Sequence, residues 1–471
     1  MKPDTCLIVT FDGLRRDRAT PGLMPNLAGF MAQGSDFINA RSVFPSETRV
    51  AVTSTATGCS PAAHGLVANQ YLHPATPGRP FQTADYRDLM AAAAMGSLID
   101  RPSLGDRLAA AGRTMAVVST ASPGATWMMN PNARELGHPV FSVYGPPVST
   151  RSLHEAALAE FGPVPQAGTP NNDRIDYATR VLTELVYAGE APDLCIMWLS
   201  DPDITSHGFG VLATETEQAQ AHADAAFGRV LEWWRAGRGP ENLIVMSDHG
   251  QITGVRRVDP VRMLPQWASR MSTGSFNGIY LDDRTFAGKQ AAIDVLSDLD
   301  WVGLIFADGD EGRPLEGALP WSLVGNGHPR GPDVGFTLRA TQPSAGAAAD
   351  QCYFAAHIQP GGGMHGGLNR GELSTILAGA GPAFKAGFRS EVPCWLPDIA
   401  PTVMTILGLP THGMEGRALG EALIGGPPAP DVERKLQSLS HRGHEQHLSY
   451  WQVGGRTIVD CGWTSGNGAW R

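Results

Sequence analysis

Long apolar runs are missing from this chain. No segment reaches the roughly 18 uninterrupted apolar residues that a membrane helix needs, so a membrane-spanning helix is excluded on length. The opening residues, MKPDTCLIVTFDG, hold neither a basic stretch followed by a long apolar one nor a cleavage site, and a cytoplasmic address is expected. Cysteine is scarce and scattered. Cys6, Cys59, Cys195, Cys352, Cys394 and Cys461 form no C-x-x-C pair, which points to reduced thiols rather than a disulfide framework. Positive charge is short too: the net charge of −10 excludes broad attraction to a nucleic acid polymer or an anionic membrane surface. No lysine occurs between Lys2 and Lys289, and repeats and low-complexity tracts are absent. An anionic ligand must therefore draw its positive charge from arginine or from metal.

What is present is enough apolar residue for a large core: 471 residues, 42% hydrophobic and 17% charged. Short apolar runs bounded by turn residues, at 7–10, 115–118, 194–199, 243–246 and 373–377, read as buried strands. Helical patterns at 177–187 and 217–234 lie between some of them, and PDIAPTVMTILGLP (397–410) reads as a helix closing the core. Alternation of this kind predicts an α/β fold with a mostly parallel central sheet covered by helices on both faces. The expected organisation is one catalytic domain over 1–471, with cap insertions at about 70–175 and 255–345, where the connections are too long for simple crossovers.

Four apolar runs end in a carboxylate or a histidine: CLIVTFDG, LCIMWLSDPDITSH, NLIVMSDHG and the glycine-rich GGGMHGG. In a parallel sheet, ligands bind beyond the carboxyl ends of the strands, so these segments deliver Asp12, Asp203, His207, Asp248, His249 and His365 to one rim. Asp203 and His207 stand four apart and Asp248 and His249 are adjacent, spacings that let each pair face one ion. Thr48, in PSETR, opens a helical pattern whose first-turn N–H groups favour an anion.

The ordered set FDG, PSETR, TGCSPAAHG, DPDITSHGFG, SDHG, GMHGG and PDIAPTVMTILGLP resembles the alkaline phosphatase superfamily, above all its nucleotide pyrophosphatase/phosphodiesterase branch and the phosphonoacetate hydrolases. The resemblance implies two Zn²⁺ ions, with Mn²⁺ or Fe as alternatives. One is held by Asp203, His207 and His365; the other by Asp12, Asp248, His249 and the oxygen of Thr48. It also implies Thr48 as the nucleophile and a phosphothreonine intermediate. The chain departs from the branch where an aromatic residue and, three positions on, a phosphoryl-binding Asn are expected after the nucleophile: Arg49 and Ala51 stand there. Arg49 is expected to bind phosphoryl oxygens in their place. Trp198 matches an aromatic that stacks on the leaving group, with a packed core tryptophan as the alternative. Cys59 begins a sulfatase-like motif that no arginine completes, and His64 matches a structural position of the superfamily. His441, His444 and His447 read as an exposed polar C-terminal helix, not a further metal site.

The resemblance thus implies a metal-dependent hydrolase of a small anionic phosphodiester or nucleotide-like phosphoanhydride. Two alternatives stand: a phosphonate hydrolase, for which Arg87, Arg101, Arg113 or Arg134 would replace the cap lysines of that family, and a metal-binding pseudoenzyme. Assembly into a homo-oligomer is compatible with each.

Overall fold

The computed structural model describes residues 4–274, 276–344, 346–355 and 358–466. Its centre is an eight-stranded sheet in the order Phe388–Ser390, Ser35–Phe37, Leu377–Ala380, Asn242–Met246, Cys6–Phe11, Leu194–Leu199, Met115–Ser119 and Val140–Ser142. The five strands from Asn242–Met246 to Val140–Ser142 pair in parallel, while Leu377–Ala380 runs against both of its neighbours.

Alternation along the central strand builds two cores. Cys6 and Ile8 face a cluster that includes Val50 and Val52 of the helix Thr48–Thr57 and Val403 of the helix Ile399–Ile406. Leu7, Val9 and Phe11 face the opposite cluster, which includes Leu27 and Phe30 of Pro25–Gln33 and Phe227 and Val230 of Thr214–Arg235. A sheet buried on both faces accounts for the continuous apolar runs, since no position of such a strand can be left to water.

Described residues of the stretch 255–345 build a lobe with its own sheet and core. The antiparallel sheet of Met271–Ser272, Phe276–Ile279, Val334–Leu338 and Val302–Phe306 packs with the helix Phe286–Ser297 around its own core of Ile279, Ile293, Leu296 and Phe336. The stretch 70–175, expected to include a cap, also supplies the strand Met115–Ser119 and the edge strand Val140–Ser142 of the central sheet.

Two further differences concern the C-terminal third. The run 373–377 ends the short helix Arg370–Leu373 and only then enters the strand Leu377–Ala380. The HRGHEQH segment is the turn and flanks of a β-hairpin, Val432–His441 with His444–Val453, extended by Arg456–Gly466 into a three-stranded sheet. Gly443 there has φ +83°, the left-handed turn that breaks the helical reading.

Candidate metal centre and active-site cleft

Asp12 leaves the central strand Cys6–Phe11, Asp248 follows the neighbouring strand Asn242–Met246, and Asp203 opens the helix Asp203–Phe209 after Leu194–Leu199. Three adjacent parallel strands thus bring three carboxylates to one rim. Gly13 is the hinge of their approach. It has φ +68°, and a Cβ there would lie 2.9 Å from Asp203 Cβ. Its N–H donates to Asp248 Oδ1 at 3.0 Å. Any larger residue would push the Asp12 and Asp203 loops apart.

The histidines enter with fixed tautomers. His207 Nδ1 lies 2.7 Å from the Gly363 carbonyl, His249 Nδ1 3.1 Å from that of Gly250, and His365 Nδ1 2.8 Å from that of Ser46. Carbonyls only accept, so each Nδ1 carries the proton and each Nε2 is left as a donor atom for a cation. His207 Nε2 and His365 Nε2 stand 3.4 and 3.7 Å from Asp203 Oδ1; His249 Nε2 stands 3.2 Å from Asp248 Oδ2 and 3.6 Å from Asp12 Oδ1.

The residues fit a pair of metal ions. The ligand atoms of Asp12, Asp248 and His249 lie within 4.8 Å of one another, and so do those of Asp203, His249 and His365. His249 belongs to both groups, whereas His207, expected beside Asp203 and His365, is in neither. Asp12 Oδ1 and Asp248 Oδ2 are buried without a hydrogen-bond partner among the described residues, a costly arrangement unless a cation faces them. Burial, with the Asp248 and Asp203 carboxylates beside it, pushes the Asp12 pKa well above the usual carboxylate range. Burial likewise raises Asp248. Burial opposes ionisation of Asp203 as well, yet His207 and His365 beside it hold it below the ordinary value. Burial and the neighbouring His249 drive His365 well below the usual imidazole range, keeping it neutral as a ligand must be. Mixed nitrogen and oxygen donors suit a transition metal such as zinc better than a hard cation.

Thr48 is the first residue of its helix, buried, with Oγ1 3.2 Å from His249 Nε2. The preceding segment braces the centre: Ser46 Oγ donates to the Gly367 carbonyl and accepts the Gly366 N–H, while its own carbonyl takes the His365 proton. A cleft of about 490 Å³ opens over Thr48, Asp203, His207 and His365, walled by Glu47, Arg49, Asn69 and Gln70 on one side and Thr273, Gly274 and Phe276 of the inserted lobe on the other.

Arg49 lines this cleft, and its Nε donates to Thr83 Oγ1 at 3.4 Å. Asn69 was not foreseen. Its Oδ1 accepts the Arg49 N–H at 3.2 Å, and no hydrogen bond of its Nδ2 occurs among the described residues. Asn69 comes from a different segment than Thr48 and lines the same cleft. Glu47 Oε2 accepts the Asn69 N–H, and burial raises the Glu47 pKa to about 7.

Trp198 corrects the sequence expectation. It is 1% exposed, does not line the cleft, and donates its indole N–H to Asp12 Oδ2 at 2.9 Å. The strand Leu194–Leu199 points this side chain into the sheet's core, so it orients a carboxylate instead of stacking on a leaving group. Arg87, Arg101, Arg113 and Arg134 are not among the described residues of the cleft wall. His441, His444 and His447 bond separately to Asp294, the Gly303 carbonyl, and Ser438 with Ser465. His64 is buried against Ser54 Oγ.

Residues 6–302 match the family model described as type I phosphodiesterase / nucleotide pyrophosphatase. No curated protein matches the sequence. Among solved structures, murine ectonucleotide pyrophosphatase / phosphodiesterase 5 superposes with a TM-score of 0.63 at 17% identity, covering 89% of this chain and all of that one. Its inactive variant in complex with AMP superposes at 0.64, with the same identity and coverage. At that identity the likeness establishes the shared fold.

Proposed function

The chain belongs to the type I phosphodiesterase / nucleotide pyrophosphatase family of the alkaline phosphatase superfamily, and from that premise we propose that it hydrolyses small phosphodiesters at a two-metal centre, with Thr48 as the nucleophile. The observation that carries this reading is the placement of Thr48 Oγ1 beside His249 Nε2, next to two buried carboxylate oxygens that have no partner. Zn²⁺ ions, or Mn²⁺ or Fe, held by Asp12, Asp248, His249 and Thr48 and by Asp203, His207 and His365, would supply Lewis-acid stabilisation of charge on oxygen.

The chain's own groups do the rest. Thr48 Oγ1, at a helix N-terminus, attacks phosphorus and forms phosphothreonine as the first alcohol leaves; water then releases the monoester and restores Thr48. Asn69 Nδ2 and the Arg49 guanidinium donate to the non-bridging oxygens as their charge grows. The Thr48 helix favours the same charge, although the Arg49 N–H is committed to Asn69. The cleft is a few hundred cubic ångströms, a size for a small substrate and not for a polymer.

A phosphonate monoester carries the same single charge at phosphorus and fits the same description. Phosphonoacetate fits less well, because Arg49 is the sole lysine or arginine among the described residues of the wall. The presence of all seven expected positions favours a catalyst over a pseudoenzyme, and six buried, unpaired cysteines accord with a cytoplasmic address.

Hydrolysis of bis-p-nitrophenyl phosphate against p-nitrophenyl phosphate tests the reading. The diester should have the higher kcat/KM, and Arg49→Ala and Asn69→Ala should each lower it by roughly 10–100-fold, as lost charge-assisted or oxyanion contacts do. Faster monoester turnover would overturn the diester assignment.

A further inference from the structure

The wall beside the nucleophile carries a carboxylate that the hydrolytic reading does not use. Glu47 immediately precedes Thr48 and is 6% exposed. Its Oε2 is committed to the Asn69 N–H, whereas Oε1 has no donor among the described residues. A Cβ on Gly274, across the cleft, would sit 3.9 Å from that Oε1, so the free oxygen faces the gap between the Thr48 helix and the inserted lobe.

Apart from Asp203, His207 and His365, proposed to bind metal, the described wall holds two charged groups, Glu47 and Arg49; its other polar members, Thr48, Asn69, Gln70, Thr273 and Gln359, are neutral. Glu47 and Arg49 stand two residues apart on the same wall, so the single cation faces substrate with a carboxylate beside it. One phosphoryl charge is met by the centre; a second anionic group in either arm of the substrate meets no cation and a lone carboxylate oxygen. Repulsive elements of this kind set specificity as effectively as attractive ones.

We propose that Glu47 is a specificity determinant that restricts this cleft to phosphodiesters whose two arms are uncharged, preferably with a hydroxyl or amino donor for Oε1, and that rejects phosphoanhydrides and diesters bearing a further phosphate. The inference rests on the phosphodiesterase reading and sharpens it, since it separates nucleoside diesters from nucleoside triphosphates among the substrates that reading allows.

Three compounds with the same 5′-phosphoryl group test it: the p-nitrophenyl ester of thymidine 5′-monophosphate, the same ester carrying a 3′-phosphate, and thymidine 5′-triphosphate. At pH 8.5, above the Glu47 value of about 7, the wild-type protein should turn over the plain ester with a kcat/KM at least about tenfold above either anionic compound, the scale of one unshielded charge at close range. Glu47→Gln keeps an oxygen for the Asn69 N–H and removes the charge; it should narrow at least one of those ratios by about tenfold. Gln70→Lys adds a cation to the same wall without touching Glu47 and should narrow them as well, so the test survives a Glu47 variant that fails to fold. Equal turnover of all three compounds by the wild type, or ratios unchanged in both variants, would overturn the assignment of Glu47. Failure to hydrolyse even the plain ester would instead bring down the phosphodiesterase reading, and this inference with it.

Discussion

His249 and His365 lie ring against ring, with centroids 3.7 Å apart and planes 9° apart, although the family pattern divides them between two ions. The stacking is made possible by their Nδ1 bonds to the Gly250 and Ser46 carbonyls, which anchor both rings with Nε2 toward the centre. His249 completes a ligand group with Asp12 and Asp248 and a second with Asp203 and His365. His207 is packed less tightly, with its ring centroid 5.0 Å from that of His365.

The two histidines should therefore differ in what their loss removes. His249→Ala should leave fewer than about one bound ion per chain, because both groups lose a donor, whereas His207→Ala should retain about one. Elemental analysis of the purified variants decides this; equal metal content in the two would show that His249 does not join the sets.

Thr48 should be separable from metal binding. Thr48→Ala should lower kcat for bis-p-nitrophenyl phosphate by about 10³-fold or more with metal content nearly unchanged, and Thr48→Ser should recover part of the rate. A Thr48→Ala enzyme within tenfold of wild type would remove the covalent pathway.

Trp198 acts on Asp12 and not on substrate, so Trp198→Phe should weaken metal affinity by about 10–100-fold, the usual cost of losing a partner that orients a ligand. Relative kcat/KM values across leaving groups should stay the same once metal is saturating. Altered leaving-group preference at saturating metal would return Trp198 to the substrate.

A pH-dependent component of stability should trace to Asp398. It is fully buried, and burial raises it from the ordinary value to about 6, against the pull of Arg417. A carboxyl raised in the folded state contributes stability that is complete below its unfolded pKa and is lost as pH rises through the folded value. The loss should fall between about pH 4 and pH 6 and be on the order of 2–3 kcal/mol. Urea unfolding at pH 4.5 and pH 7.5 should show a smaller decline for Asp398→Asn than for the wild type; parallel declines would exclude Asp398 as the source.

The sheet and the centre were legible in the sequence because both depend on local pattern. Strands buried on both faces leave unbroken apolar runs, and each run delivers its Asp or His within a few residues of its end. What was not legible depends on where separated segments meet. Asn69 stands 21 residues after Thr48, and only the folded chain brings it to the same cleft. Trp198 looked like a cleft residue from its distance to Asp203, but strand alternation sends it into the core, where Asp12 Oδ2 receives its N–H. His441 and His444 share a hairpin and not a helix because Gly443 turns the chain, a difference that histidine spacing alone does not decide. The edge strand Val140–Ser142 was hidden within a region whose loops suggested a cap, whereas Met115–Ser119 was announced by its apolar run.

The most direct measurement of the central claim is hydrolysis of bis-p-nitrophenyl phosphate by protein stripped of metal with a chelator, then titrated with Zn²⁺. The unoffset carboxylates Asp12 and Asp248 and the neutral His365 predict that the stripped protein is folded but inactive, and that activity returns steeply as the second equivalent per chain binds. Full turnover by the stripped protein, or recovery of activity at a stoichiometry far below one ion per chain, would contradict the account.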